Sequence, residues 1–187
     1  MKKLYILCTV YIMLLLVGCS TKQSSSNNDI DKARADMTEY KLLTDTEHVF
    51  YSISAAEATE LVSSGTGILY TGYPTCPSCI RAVPVLNTVA KELNKQIMYI
   101  DVHDLLADEA SEQFLGLIAK EVAGSDSVED AQFYVPMVIA IKDGKITNSY
   151  MGLPPGAKLP SDSNADLDTS SKEAATTFYT NLLKSND

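Results

Sequence analysis

Residues 67–79 read GILYTGYPTCPSC, and IRAVPVLNTVAKEL follows at 80–93. Gly67 to Gly72 is a short apolar run that reads as a strand. Beyond Cys79, the residues Ile80, Val83, Leu86, Val89, Ala90 and Leu93 recur at helical spacing, with Pro84 predicting a kink. Cys76 and Cys79 therefore fall between a strand and the start of a helix. A helix N-terminus carries unsatisfied N–H groups and a partial positive charge, which favour thiolate over thiol at Cys76. The thiolate is the form that attacks disulfides. Cys79, one turn along, is placed to attack the mixed disulfide that results. Pro77 has no N–H, so the amides of Ser78 and Cys79 carry the stabilisation of a Cys76 thiolate.

Outward from this stretch the chain alternates. HVFYSI (48–53) reads as a strand. Ser54-Ala-Ala-Glu57 is a capping-box signature that opens a helix through Val62. QIMYIDV (96–102) is a third strand. A second helical pattern covers 104–123 on Leu106, Ala110, Phe114, Leu117, Ile118 and Val122, with Asp104 as its N-cap. Residues 124–133 read as a loop, and PMVIAI (136–141) and ITNSYM (146–151) as a hairpin joined at Lys142-Asp143-Gly144-Lys145. After the polar loop 152–166, Ser170-Ser-Lys-Glu173 opens a final helix to about Leu183. This order predicts an α/β fold: a central mixed sheet of four or five strands, 67–72 central, flanked by helices on both faces.

At this point the sequence resembles the thioredoxin family. The features are the strand–CPSC–helix, Pro84 five residues after Cys79, Val135-Pro136 just before a strand, and the hairpin 137–152 with its Asp-Gly turn and closing glycine. They span residues 46–185. The resemblance implies a thioredoxin-like fold with Cys76 as nucleophile and Cys79 as resolving thiol. It also implies a cis Val135–Pro136 bond facing the pair, in a substrate groove. Tyr73, near the pair in sequence, is read separately as a ring that shields it at that groove. The sequence differs from the family pattern in four places. Thr75 replaces the usual Trp, and Pro77-Ser78 replaces Gly-Pro. Tyr70 stands where many members bury an acid, and the segment 102–135 is longer. The layout is also similar to that of small lipoproteins known as bacteriocin transport accessory proteins.

The chain begins MKKLYILCTVYIMLLLVGCS. Two lysines, an uncharged apolar run and Leu16-Val17-Gly18-Cys19 read as a secretory signal, too short for a confident membrane span. Its end resembles a bacterial lipobox, which implies cleavage after Gly18 and diacylglycerol on Cys19. The expected organisation is a signal peptide at 1–18, lipidated Cys19 with a flexible tether to 45, and a thioredoxin-like domain at 46–187 with a helical insert near 104–133. The polar STKQSSSNN (20–28) carries the tether, and 29–45 are mixed and charged, a short helix or a loose segment. The expected location is the extracytoplasmic side of the cell membrane.

Of 187 residues four are cysteine, and the net charge is −9. No basic cluster suggests nucleic acid. With Cys8 in the signal and Cys19 given to lipid, only Cys76 and Cys79 remain. A pair three positions apart closes too small a loop to staple a fold. A zinc site would need His48 and His103, which lack ligand spacing to any partner, so no metal or cofactor is expected. Tyr70 and Tyr99 read as core residues with bonded hydroxyls. Asp101, His103 and Asp104 read as ordinary strand-end polar groups. Two functions follow. One is a thiol–disulfide oxidoreductase acting on the thiols or disulfides of exported proteins, recharged by a redox partner. The other is a thioredoxin-fold accessory or chaperone of an exporter that does not need its cysteines.

Overall fold

The computed structural model describes residues 33–105 and 107–187. The signal peptide, Cys19, the first part of the tether and Leu106 lie outside the described residues. The elements are β1 (Phe50–Ser52), α1 (Ala55–Ser64), β2 (Gly67–Gly72), α2 (Pro77–Glu92), β3 (Ile97–Asp101), a 3-10 turn (Val102–Asp104), α3 (Glu109–Glu121), β4 (Met137–Lys142), β5 (Lys145–Met151) and α4 (Thr169–Lys184). One five-stranded sheet runs in the order β1-β3-β2-β4-β5, so β2 is central. β1 and β2 pair parallel with β3, whereas β4 pairs antiparallel with β2 and β5. This is a thioredoxin-like α/β fold.

Strand alternation divides the core into two. Ile68 and Tyr70 of β2, Ile97 and Tyr99 of β3, and Val138 and Ala140 of β4 share one face with α2 and α4. Leu69, Ile100, Ile139 and Ile141 share the other with Ala58 and Val62 of α1 and Phe114 and Ile118 of α3. The register puts Tyr70 opposite Tyr99 on one side and Val138 on the other. The helical insert is thus present and buries its Phe114–Ile118 stripe on the sheet.

Three expectations need correction. The domain begins before residue 46, because Ala35, Met37 and Tyr40 are buried in the core. Arg34 forms an antiparallel bridge to Tyr51, and Ala35 N–H donates to the Phe50 carbonyl at 3.0 Å. The expectation for 29–45 was a short helix or a loose segment; over 33–45 the chain forms no helix, yet its apolar residues pack into the core. Second, Asp104 caps no α-helix: it ends the 3-10 turn, and Asp108 caps α3 by accepting the Ser111 amide at 2.8 Å. Third, α4 is capped by Asp168, which accepts the Ser171 amide at 2.7 Å, and not by Ser170. Aspartate two residues upstream took the role that the Ser–Glu spacing had suggested for serine. The capping box at Ser54 and Glu57 is present as read.

Candidate functional site at the cysteine pair

The β2 strand delivers the chain to Gly72, and the turn 73–76 carries it into α2. Cys76 is the N-cap of α2, and its Sγ accepts the Cys79 N–H at 3.1 Å. Pro77 occupies the first turn, where a missing N–H costs nothing. The Cα atoms of the pair are 5.1 Å apart and the sulfurs 2.50 Å, inside the reach of a disulfide. Cys79 is fully buried and Cys76 is 4% exposed. Of the two, only Cys76 lies at the surface end of the helix, with a backbone N–H directed at its sulfur.

The remaining expected residues gather around it. The Val135–Pro136 bond is cis, and the Val135 carbonyl lies 3.8 Å from the Cys76 Sγ. Pro136 is buried and Val135 half-buried. The Tyr73 carbonyl accepts the Cys76 N–H at 3.2 Å, while the Tyr73 ring packs on the His103 ring with centroids 4.6 Å apart. Cys76, Cys79, Tyr73, Val135 and Pro136 are therefore brought together; Cys19 lies outside the described residues. Past Val135, a largely apolar cavity of about 220 Å³ is lined by Phe114, Ile118, Phe133, Tyr134 and Met137. Tyr134 on its rim is 58% exposed.

Residues absent from the sequence reading complete the site. Arg81 is 2% exposed, and its guanidinium donates to the Pro77 carbonyl at 2.8 Å, to Ser163 at 2.8 Å, to Ala165 at 3.0 Å and to Asp162 at 3.3 Å. It ties the loop before α4 to the first turn of the CPSC helix and places a positive charge there. The signal in sequence was a lone charge among the apolar residues of the helix, four residues after Pro77. Tyr40, from the segment 33–45, bonds its hydroxyl to that of Tyr99 at 3.3 Å, and Tyr99 donates to Asp101 at 3.1 Å.

Tyr70 departs from expectation. It is fully buried, as read, but its hydroxyl makes no hydrogen bond of normal geometry. Burial pushes its acidity, and that of Tyr99, far below the ordinary phenol; Tyr40 is raised to about 12, also by burial first. Asp101 pairs with His103 Nδ1 at 3.1 Å and caps the 3-10 turn. Among the described residues no group of three His, Cys, Asp or Glu side chains could hold a metal ion, and no helix is long and apolar enough to cross a membrane. No protein-family model matches the chain.

Proposed function

We propose that the protein is a thiol–disulfide oxidoreductase that works through Cys76 and Cys79 on exported proteins, held by lipid on Cys19 at the extracytoplasmic face of the cell membrane. The observation that carries this reading is Cys76 as helix N-cap, accepting an amide bond at sulfur beside the cis Val135–Pro136 peptide. An N-terminal amide aimed at sulfur stabilises the thiolate against the thiol. In the reducing direction the Cys76 thiolate attacks a substrate disulfide. One substrate sulfur joins Cys76, and the other leaves as thiolate. Cys79, deprotonated, then attacks Cys76, the substrate is released as a dithiol, and the pair is left oxidised. The oxidising direction is the reverse. The cis peptide and Tyr73 form the walls along which a substrate strand lies. The apolar cavity past Val135 takes a neighbouring side chain.

Lipid attachment rests on LVGC at the end of the apolar run; Cys19→Ala should yield an unprocessed or shed protein. The chemistry is tested by trapping. Cys79→Ser should accumulate mixed disulfides with exported proteins, and Cys76→Ser none. Alkylation across a pH series should place the Cys76 thiol below about 8.5, the free value. A Cys76 that titrates at or above that value, with no partner captured, sinks the oxidoreductase reading.

The accessory reading is favoured by the near-complete cover of Cys76 and by the exposed Tyr134 at the apolar cavity. It expects exporter function to survive Cys76→Ser, whereas the oxidoreductase reading expects it to be lost.

A further inference from the structure

Strand alternation turns Thr71 of β2 to the same sheet face as Leu69, the face that α3 covers. Its register neighbours are Ile100 of β3 and Met137 of β4. Thr71 is 1% exposed, and its hydroxyl makes no hydrogen bond. A buried hydroxyl without a partner is a loss that valine, of the same shape, would avoid. Thr71 also lines the cavity of about 220 Å³, whose walls include Phe114, Leu115 and Ile118 of α3 and whose outer end is Tyr134 and Val135. No charged side chain is among the residues that line it. One unpartnered hydroxyl thus stands at the inner end of an otherwise apolar cavity. Most of the lining comes from the segment 102–135, the part of the chain that is longer than the thioredoxin pattern.

We propose that this cavity receives the tyrosine side chain of a protein whose cysteine meets Cys76, with the phenol hydroxyl bonded to Thr71 Oγ1. That the protein is a substrate rests on the redox reading of the pair; the fit of a phenol does not. Volume sets the scale. Pockets for drug-sized ligands run from about 300 Å³ upward, so this one suits a single large side chain. Chemistry narrows the choice. Phenylalanine or leucine would fill the walls but shut the Thr71 hydroxyl in without a partner. A charged side chain would lose its water against apolar walls. An indole carries its N–H on the flank of the ring, where the walls are apolar. Tyrosine sets an apolar ring along the walls and a polar atom at the far tip, and a phenol can donate to a threonine hydroxyl or accept from it. Position joins the cavity to the cysteine. Val135 lines its outer end, and the Val135 carbonyl lies 3.8 Å from the Cys76 Sγ. A chain disulfide-bonded to Cys76 can therefore send a neighbouring side chain past Val135.

The test uses the full chain in detergent with Cys8→Ser and Cys19→Ser, so that only the pair reacts. Peptides carry one cysteine as a mixed disulfide with thionitrobenzoate, flanked by tyrosine, phenylalanine, tryptophan or alanine. The Cys76 thiolate bonds to the peptide sulfur, and coloured thionitrobenzoate leaves with the electron pair of the broken S–S bond. Tyrosine peptides should react fastest with the parent. Thr71→Val should slow them about 10-fold relative to phenylalanine peptides, the scale of one buried hydroxyl left unpaired. Thr71→Ser should restore the preference, and the melting temperature of Thr71→Val should hold or rise. Binding without chemistry is read from the methyl NMR shifts of Ile118 and Met137 with p-cresol and toluene, the two side chains alone. Thr71→Val should weaken p-cresol about 10-fold and leave toluene no weaker. Every protein is held in the same detergent, so partition into micelles cancels. Leu115→Trp, which fills the cavity, should abolish both. Peptides that react without regard to the flanking residue, or fastest with tryptophan, overturn the tyrosine site and leave the redox pair standing. An unchanged p-cresol affinity in Thr71→Val or in Leu115→Trp overturns the site as well. Binding of p-cresol as expected, with no peptide attacked, overturns the redox reading and with it the assignment of the tyrosine to a substrate.

Discussion

A buried arginine bonded only to carbonyls is costly to place, and Arg81 shows what it maintains. Its four acceptors lie on Pro77 and on Asp162, Ser163 and Ala165, which are far apart in sequence. The loop 152–168 has no regular structure to satisfy those carbonyls, so the guanidinium does so from beneath. Arg81→Met keeps the apolar stem and removes the donors. It should lower stability by about 2–3 kcal/mol, the scale of lost bonds to a charged donor. Urea denaturation would measure this, and the loop should become the first site of limited proteolysis. An unchanged midpoint with an intact loop would mean that water replaces the guanidinium without loss. The same scale explains what sequence could and could not say about the site. Cys76, Cys79 and Pro136 announced themselves by residue type and spacing. Arg81 and Tyr40 did not, because their roles arise from chain segments that meet only in the folded state. The unbonded state of Tyr70 was equally invisible, since whether a buried hydroxyl finds a partner depends on a few tenths of an ångström across strands.

Among the elements, the hairpin β4–β5 was legible because its turn has a local cause. Asp143 and Gly144 both adopt positive φ, 50° and 69°, the pattern that suits a two-residue hairpin turn. Gly144 has a second constraint that the motif does not reveal. A Cβ there would sit 2.3 Å from the Ser63 carbonyl oxygen at the end of α1, and the Gly144 N–H donates to the Gly65 carbonyl at 2.8 Å. Gly144→Ala should therefore cost about 2–3 kcal/mol, near the upper end for backbone strain alone. Asp143→Ala, which keeps the glycine, should cost clearly less; equal losses by calorimetry would count against the clash with α1. Helix starts were less legible than helix bodies. The apolar stripes of α2 and α3 follow from periodicity, whereas caps are chosen among several nearby Asp and Ser residues. Asp168→Ala should lower the melting temperature more than Ser170→Ala, because Asp168 holds the Ser171 amide and Ser170 Oγ only donates back to Asp168. The opposite ranking would restore serine as the cap.

At the scale of the molecule, the segment 33–45 decides where the domain begins. It covers the outer edge of β1, contributes Met37 and Tyr40 to the core, and is pinned to α2 at its far end. The pin is Asp45, which accepts from Lys91 Nζ at 2.6 Å and from Asn87 Nδ2 at 2.9 Å, while Asn87 Oδ1 accepts the Val49 amide at 3.0 Å. Removing residues before 46 would delete Met37 and Tyr40, whose burial is worth about 3–5 kcal/mol together, less the ordering of the segment, and would uncover the core they pack on. It would also bare the backbone edge of β1, an open template for pairing with another copy. A chain starting at residue 46 should melt earlier and self-associate in sedimentation, whereas one starting at residue 33 should do neither. Acid should loosen the same segment by a separate route. Hydrogen bonds from Lys91 first, then Asn87, hold the Asp45 carboxyl at about 2, below its ordinary value near 3.8. A carboxyl with a depressed folded value stabilises fully above its unfolded value and loses that contribution as the pH falls through the folded one. The contribution of Asp45 is therefore present above about pH 4 and lost between about pH 4 and pH 2. Asp45→Asn should flatten the stability slope across that window and leave the slope above pH 5 unchanged. If tyrosine fluorescence and urea midpoints in the variant retain the parent slope, the pin is not what holds the segment. The burial of Met37 and Tyr40 must then do so alone.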